Sequence, residues 1–242
     1  MSQNDCQLDY KLMTKDKIQE AMMIQAETMK QECLAIGMGM FEEPGAPEEI
    51  QLLFREIIKD GSTIVAVDKQ TGELGAVAFT KIHARPREGV KDPLDDFIGE
   101  NLKKKSCQEL VKFLGDLESS VDIFEKYNVD GAMELFYLGT NPRYQGRGIG
   151  CEIVKKCIEF ARGLENGTTK RSPIDNETVN EEVIPKLIFG VFLSNYSQRI
   201  ADKLNFETIR EVRYEDFIIG GRKLSERIGD THKTARLQVL KL

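Results

Sequence analysis

The stretch 133–162 constrains this chain most, because an apolar run, a glycine-rich turn and an amphipathic segment follow one another in it without a gap. Residues 133–138 carry Phe136 and Tyr137 in a short apolar run, which predicts a buried strand. Gly139, Thr140, Asn141 and Pro142 stop it. Beyond the turn, Ile149, Ile153, Val154, Cys157, Ile158 and Ala161 recur at helical spacing, with Glu152, Lys155, Lys156 and Glu159 between them. Glycines between a strand and a helix start let the backbone approach a ligand closely and take positive φ. The first free N–H groups of the helix then converge on one spot, with the helix dipole behind them. That arrangement suits phosphate, and Arg143 and Arg147 add positive charge beside it. The plainer reading is a glycine-rich turn before an ordinary core helix.

The spacing excludes two familiar phosphate loops. Gly150 is followed by Cys151 and Glu152, not by the Lys-Ser/Thr of a nucleoside-triphosphate loop. Gly146, Gly148 and Gly150 fall on every second residue, which is not the dinucleotide-binding spacing, and no long strand–helix alternation follows.

Length and composition set the remaining bounds. The chain has 242 residues, 40% apolar and 31% charged, which suits one soluble globular domain. Its apolar runs are too short to span a bilayer, and 1–11 lacks a basic-then-apolar leader pattern, so a cytoplasmic location is expected. The five cysteines (Cys6, Cys33, Cys107, Cys151 and Cys157) form no zinc spacing and no obvious disulfide framework, so no metal is expected. His83 and His232 are the only histidines, which turns attention to carboxylates and tyrosines for acid–base work. The net charge of −6 disfavours a nucleic-acid partner and would attract a small cation such as an amine.

Along the chain, 8–13 reads as a strand, 15–35 as one helix, 36–47 as an apolar loop ending in turn signals, and 48–60 as a helix. Residues 62–68 and 73–83 read as a hairpin, 84–93 as a charged loop, and 94–127 as two helices divided near 115–119. The polar segment 163–185 reads as a mobile surface insertion. Residues 186–193 form the most apolar run and predict a buried strand, followed by a helix ending at Asn205, strands within 206–219, and a closing strand over 235–242.

The segment Gln145-Gly146-Arg147-Gly148-Ile149-Gly150 resembles the Q/R-x-x-G-x-G/A pyrophosphate loop of the GNAT acyltransferases, and the order of predicted elements matches that family. Phe41-Glu42-Glu43-Pro44, the lead Asn141-Pro142-Arg143-Tyr144 and the Tyr196-Ser197 pair resemble motifs of the insect arylalkylamine N-acetyltransferases. The segment from Ser194 to Phe206 resembles the family's run after its fifth strand, with Asn205 in place of a glycine. The resemblance implies an α/β (α+β) GNAT fold. Its central sheet would be mixed and mostly antiparallel, with the fourth and fifth strands splayed and helices on both faces. It would be a single domain over 1–242.

The implied activity is acetyl-CoA-dependent N-acetylation of small primary amines such as dopamine, serotonin, tyramine or octopamine, by direct transfer in a ternary complex. The implied partners are acetyl-CoA and a small amine, with no metal, no nucleic acid and no membrane, and with a monomer expected and a dimer as the alternative. Other amines, such as polyamines, agmatine-like amines or hydrazine, remain open as acceptors, as do peptides. A non-enzymatic CoA-binding sensor is the reading from a different class.

Acetylation needs an unprotonated amine, so a general base is required. By family match this is Glu43, with Glu42 in reserve; an apolar loop around Glu43 would raise its pKa. Residues alone favour Glu43 as a helix N-terminal charge, and the resemblance reverses that. The resemblance assigns CoA to the backbone and side chains of Leu138, Gly139, Thr140, Arg143, Gln145, Gly146, Arg147, Gly148, Ile149, Gly150 and Asn195. The amide of Leu138 would stabilise the oxyanion. It assigns hydroxyl chemistry at the leaving thiolate to Tyr196, Ser197 and Ser194, although an N-cap at Ser194 or Asn195 explains that stretch without catalysis.

Overall fold

The structure, a computed structural model, describes residues 7–87, 89–174 and 182–242. Strand β1 (Leu8–Leu12) leads into helix α1 (Ile18–Met29), the short α2 (Cys33–Gly37) and α3 (Ala46–Ile57). The hairpin β2 (Ile64–Asp68) and β3 (Leu74–Ala84) follows, then α4 (Pro93–Asn101), α5 (Lys105–Glu118) and α6 (Ile123–Tyr127). Next come β4 (Gly131–Thr140), α7 (Ile149–Glu165), β5 (Leu187–Phe192), α8 (Asn195–Lys203) and β6 (Glu207–Arg213). The small hairpin β7 (Ile218–Ile219) and β8 (Arg222–Lys223), α9 (Leu224–Ile228) and β9 (Thr234–Lys241) complete the order.

The central sheet has seven strands in the order β1-β2-β3-β4-β5-β9-β6. Its pairings are antiparallel except β4 with β5. Strand alternation sends side chains to two apolar layers. On β3, Val77 and Phe79 join the layer built by α1, α2, α3 and α5, whereas Ala76 and Ala78 join the layer built by α7 and Ala201 of α8. Helices therefore cover both faces, as the resemblance implies.

The parallel pairing of β4 with β5 covers only Met133 opposite Ile188 and Glu134 opposite Phe189. Beyond it β5 follows β9 and β4 follows β3, so a gap opens between them. At the closed end Glu134 is buried, and its carboxylate lies 2.7 Å from His83 Nε2. Near the opening β4 carries a bulge. Phe79 pairs with Tyr137 but Thr80 pairs with Leu135, which leaves Phe136 as the extra residue. Phe136 and Tyr137 thus both face the α1/α3 layer, where each packs edge-on against Phe54.

Two helix assignments made from sequence need correction. The expected helix over 15–35 breaks at 30–32. Glu32 takes an extended conformation, and its carboxylate accepts hydrogen bonds from Leu34 N and Ala35 N, so it caps a new helix. The expected pair of helices over 94–127 is three. The extra break at Leu102 is stabilised by Glu49, whose carboxylate accepts from Lys103 N and Lys104 N. These caps come from side chains distant in sequence or from a glutamate with no breaker beside it, so local propensity did not show them.

The insertion expected to be mobile is anchored where it is described. Thr168 N bonds to Gly163 O, Ser172 N bonds to Gly61 O, and Ile174 is buried. Arg171 pairs with Asp60 at 2.9 Å, with side-chain exposures of 5% and 10%. Residues 175–181 lie outside the described residues. Arg171→Met should lower unfolding stability by about 3 kcal/mol, because it strands a buried carboxylate. A urea midpoint equal to that of the unaltered protein would show that this segment is not anchored by the pair.

Candidate active site

The gap between β4 and β5 is a cleft of about 680 Å³. β4 contributes Leu135 to Leu138 and Thr140, and β5 with its following residues contributes Val191, Phe192, Leu193 and Ser194. The end of α1 and the turn after it supply Thr28, Gln31, Glu32 and Cys33. Gly146, Gly148, Ile149 and Gly150 form the mouth, and Tyr196, Ser197 and His232 complete the wall beside α8.

The glycine loop is held open and rigid. Asn141 bonds to β3 through its amide N–H to Gly75 O and its side chain to Leu74 O, and its Oδ1 accepts from Arg143 N. Tyr144 is buried, and its hydroxyl donates to Asp68 at 2.9 Å. Gly146 and Gly148 both have φ near +75°, and a Cβ on either would meet no atom within 4 Å. The N–H groups of residues 146–150 have no hydrogen-bond partner among the described residues. Free donors, open space and the N-terminus of the 17-residue α7 together fit a phosphate-bearing ligand.

The two arginines sit on the other side of this loop. They line a second, more polar depression with Lys155 and Lys203, and Tyr144, Gly146, Gly148 and Ile149 are shared between it and the cleft. Arg143 pairs with Glu73 at 3.2 Å, and the Arg147 guanidinium stacks on the Tyr144 ring. Both arginines are therefore engaged in contacts of their own. Leu138, Thr140, Gln145, Gly146, Gly148, Ile149 and Gly150 do line the cleft. Gly139 instead faces α1, where a Cβ would come within 3.0 Å of Thr28 Oγ1. Asn195 is committed elsewhere: its N–H donates to His232 Nδ1 and its side chain to Thr231 O.

Ser194, Tyr196 and Ser197 all reach the cleft. Ser194 and Ser197 also form a reciprocal capping box that starts α8. Tyr196 is 67% exposed, and its ring meets His232 edge-on. Burial lowers the pKa of His232, which favours the neutral ring, and its bond from Asn195 N puts the remaining proton on Nε2.

Glu43 occupies a different environment from the one its sequence suggests. It accepts from Ser106 N at 2.8 Å, Ser106 Oγ at 2.7 Å and Lys105 N at 3.1 Å, so it caps the start of α5. These bonds hold its carboxyl below the usual range, where an apolar loop would have raised it. Glu43 is not among the residues that line the cleft, and Glu42 is exposed and pairs with Arg227 at 3.5 Å.

Sequence reasoning missed Glu32. It is the one charged side chain among the described residues lining the cleft. Burial pushes its pKa up, against the Leu34 and Ala35 amides and the Cys33 thiol, which pull it down. Cys33 Sγ donates to Leu193 O and lies 3.8 Å from the Tyr214 hydroxyl, which itself donates to Leu193 O at 2.6 Å. Thr28 Oγ1 and the Tyr137 hydroxyl are 2.9 Å apart across the same wall. The available signal was Cys33-Leu34-Ala35, three consecutive buried residues that break the amphipathic stripe of one continuous helix.

Among the described residues, no helix is long and apolar enough to cross a membrane, and no group of three or more His, Cys, Asp and Glu could hold a metal ion.

Comparison with known proteins finds likenesses in one central segment and in the fold. The profile of the acetyltransferase (GNAT) family matches residues 115–177, which run from α5 through β4 and the glycine loop into and past α7. The chain superposes on arylalkylamine N-acetyltransferase 2 from Aedes aegypti with a TM-score of 0.69 and 17% identity, covering 97% of this chain and 98% of that one. An agmatine N-acetyltransferase variant in its apo form gives 0.72 at 18% identity, covering 97% and 99%. A polyamine N-acetyltransferase from Drosophila melanogaster gives 0.69 at 17%, covering 98% and 100%. A comparison with curated protein sequences returns no match. These likenesses show the GNAT fold, and the family profile covers that central segment of it.

Proposed function

We propose that this chain transfers the acetyl group of acetyl-CoA directly to the amine of a small monoamine with an apolar body, of the arylalkylamine kind. The observation that carries this reading is the cleft itself. One carboxylate, Glu32, stands in it, among walls formed by Phe136, Tyr137, Val191 and Leu193. An ammonium group is drawn to that carboxylate, and an apolar body is matched by those walls. Agmatine and polyamines, the acceptors named for two structural relatives, carry a second cationic group. No second carboxylate stands among the described lining residues to receive it.

The roles follow from position. The free amides at 146–150 fit the pyrophosphate of CoA, and its pantetheine arm fits the gap between β4 and β5. Glu32 takes a proton from the ammonium, and the amine lone pair then attacks the thioester carbon. As the C–N bond forms and the C–S bond breaks, negative charge on the carbonyl oxygen is met by the Leu138 amide on the parted edge of β4. The attacking nitrogen still carries one proton to lose, and as the C–S bond breaks that proton passes through the Tyr196, Ser194 or Ser197 hydroxyls, which line the cleft, to the departing thiolate. The base is thus assigned to Glu32, and Glu43 is assigned to holding α5.

Three measurements test this. A thiol-release assay should show faster turnover with tyramine or dopamine than with agmatine, spermidine, hydrazine or peptides. Faster turnover with a diamine or a peptide would contradict the acceptor reading. Gly148→Val forces a β-branched residue into a left-handed conformation at roughly 1–2 kcal/mol, and should weaken acetyl-CoA binding about tenfold. Calorimetry that finds unchanged affinity would remove the loop from the CoA site. Because burial raises the pKa of Glu32, kcat/KM should fall as pH drops through a value above the ordinary one for glutamate. Glu32→Gln should abolish that limb and lower kcat by about 10²–10⁴. Glu43→Gln should keep the limb and lower the thermal midpoint; the opposite assignment of the two effects would return the base to Glu43.

A further inference from the structure

Glu32 owes its position to one helical turn. Its carboxylate accepts from Leu34 N at 2.9 Å and Ala35 N at 2.6 Å, its own carbonyl accepts from Ile36 N, and α2 ends one residue later at Gly37. A turn this short has little stability of its own. It must be held from outside, and the segment that holds it comes from the far end of the chain.

Helix α9 lies directly against α2. A Cβ on Gly37 would come within 2.6 Å of Leu224 Cδ1 and 2.8 Å of Ile228 Cγ1, so only glycine permits the approach. Arg227 Nε donates to Gly37 O, the carbonyl that closes α2. The second arm of the guanidinium pairs with Glu42 at 3.5 Å, beyond the end of the turn. The Arg227 side chain is 18% exposed, so its bond to Gly37 O is shielded, whereas Glu42 is exposed and its pairing adds little.

We propose that Arg227 is a positioning residue for the catalytic carboxylate. By holding the C-terminal carbonyl of α2, it fixes the turn whose first amides orient Glu32 into the cleft. This rests on Glu32 as the base. Arg227 does not line the cleft, so it acts through α2 and not on the acceptor. The titratable groups facing Glu32 are the Cys33 thiol beside it, the Tyr137 phenol from β4 and the Tyr214 phenol that follows β6. Burial keeps all three neutral by raising their pKa values, so none of them puts a charge beside Glu32.

The test is the pH profile of kcat/KM for Arg227→Leu and Arg227→Lys in the full chain, with thermal unfolding measured in parallel. If α2 loosens, water reaches Glu32, its pKa falls toward the free-glutamate value, and the acid limb moves to lower pH. Arg227→Leu should show that shift together with a loss in kcat of about tenfold or more, as a misplaced catalytic group does, while KM for acetyl-CoA is unchanged. Arg227→Lys, which retains a donor for Gly37 O, should restore most of both. Ile228→Ala loosens the same contact without touching the guanidinium and should move the limb in the same direction by less. An acid limb and kcat unchanged in both Arg227→Leu and Ile228→Ala would overturn the proposal, even if the melting temperature falls. A limb that survives Glu32→Gln would overturn it together with the assignment of the base, which separates the two failures.

Discussion

β4 and β5 share two paired residues and then part, and the rest of the site depends on that separation. An open strand edge in a sheet interior leaves backbone donors and acceptors without partners, which is costly unless something else satisfies them. Each strand is secured on its other side, β4 by β3 and β5 by β9 along its whole length, so the gap persists without unravelling the sheet. The bulge at Phe136 turns two consecutive aromatic side chains, Phe136 and Tyr137, toward the same layer and shapes one wall of the gap. What remains is a parted pair of strands lining a cleft, with the free amides of residues 146–150 at its mouth, a shape that suits a long thioester ligand lying across the sheet.

The second constraint is a carboxylate in an apolar wall. Burial penalises the charged form of Glu32, and the two amides of α2 partly offset that penalty. The net effect is a carboxylate whose proton affinity is raised above that of an ordinary glutamate. Glu43 shows the contrary balance: three donors at the start of α5 hold its proton affinity low and commit its lone pairs to the helix. Two glutamates eleven positions apart thus differ in proton affinity because of what surrounds them.

Much of the frame was legible in the residues. The apolar alternation and runs gave the hairpin of β2 and β3, the strands β4, β5 and β9, and the helices α3, α7 and α8. The spacing of Gly146, Gly148 and Gly150 located the loop, because positive φ and close approach leave a local mark in sequence. The glutamate that lines the cleft was not legible. Phe41-Glu42-Glu43-Pro44 matched a motif by its letters, but which glutamate faces the cleft is decided by the break after Met29 and by contacts with Leu193, Tyr214 and Arg227, all more than 150 residues away. The same holds for His232, which reaches the site only because β9 lies between β5 and β6. Long-range caps, such as Glu49 at the turn before α5, leave no periodicity to read.

The most direct test of the account is a crystal structure with a bisubstrate analogue joining CoA to tyramine. The account predicts pyrophosphate oxygens on the amides of residues 146–150, the pantetheine arm between β4 and β5, and the acceptor nitrogen within hydrogen-bonding reach of Glu32, directly or through one water. An acceptor nitrogen that instead meets Glu43, or an analogue lying outside the β4–β5 gap, would contradict it.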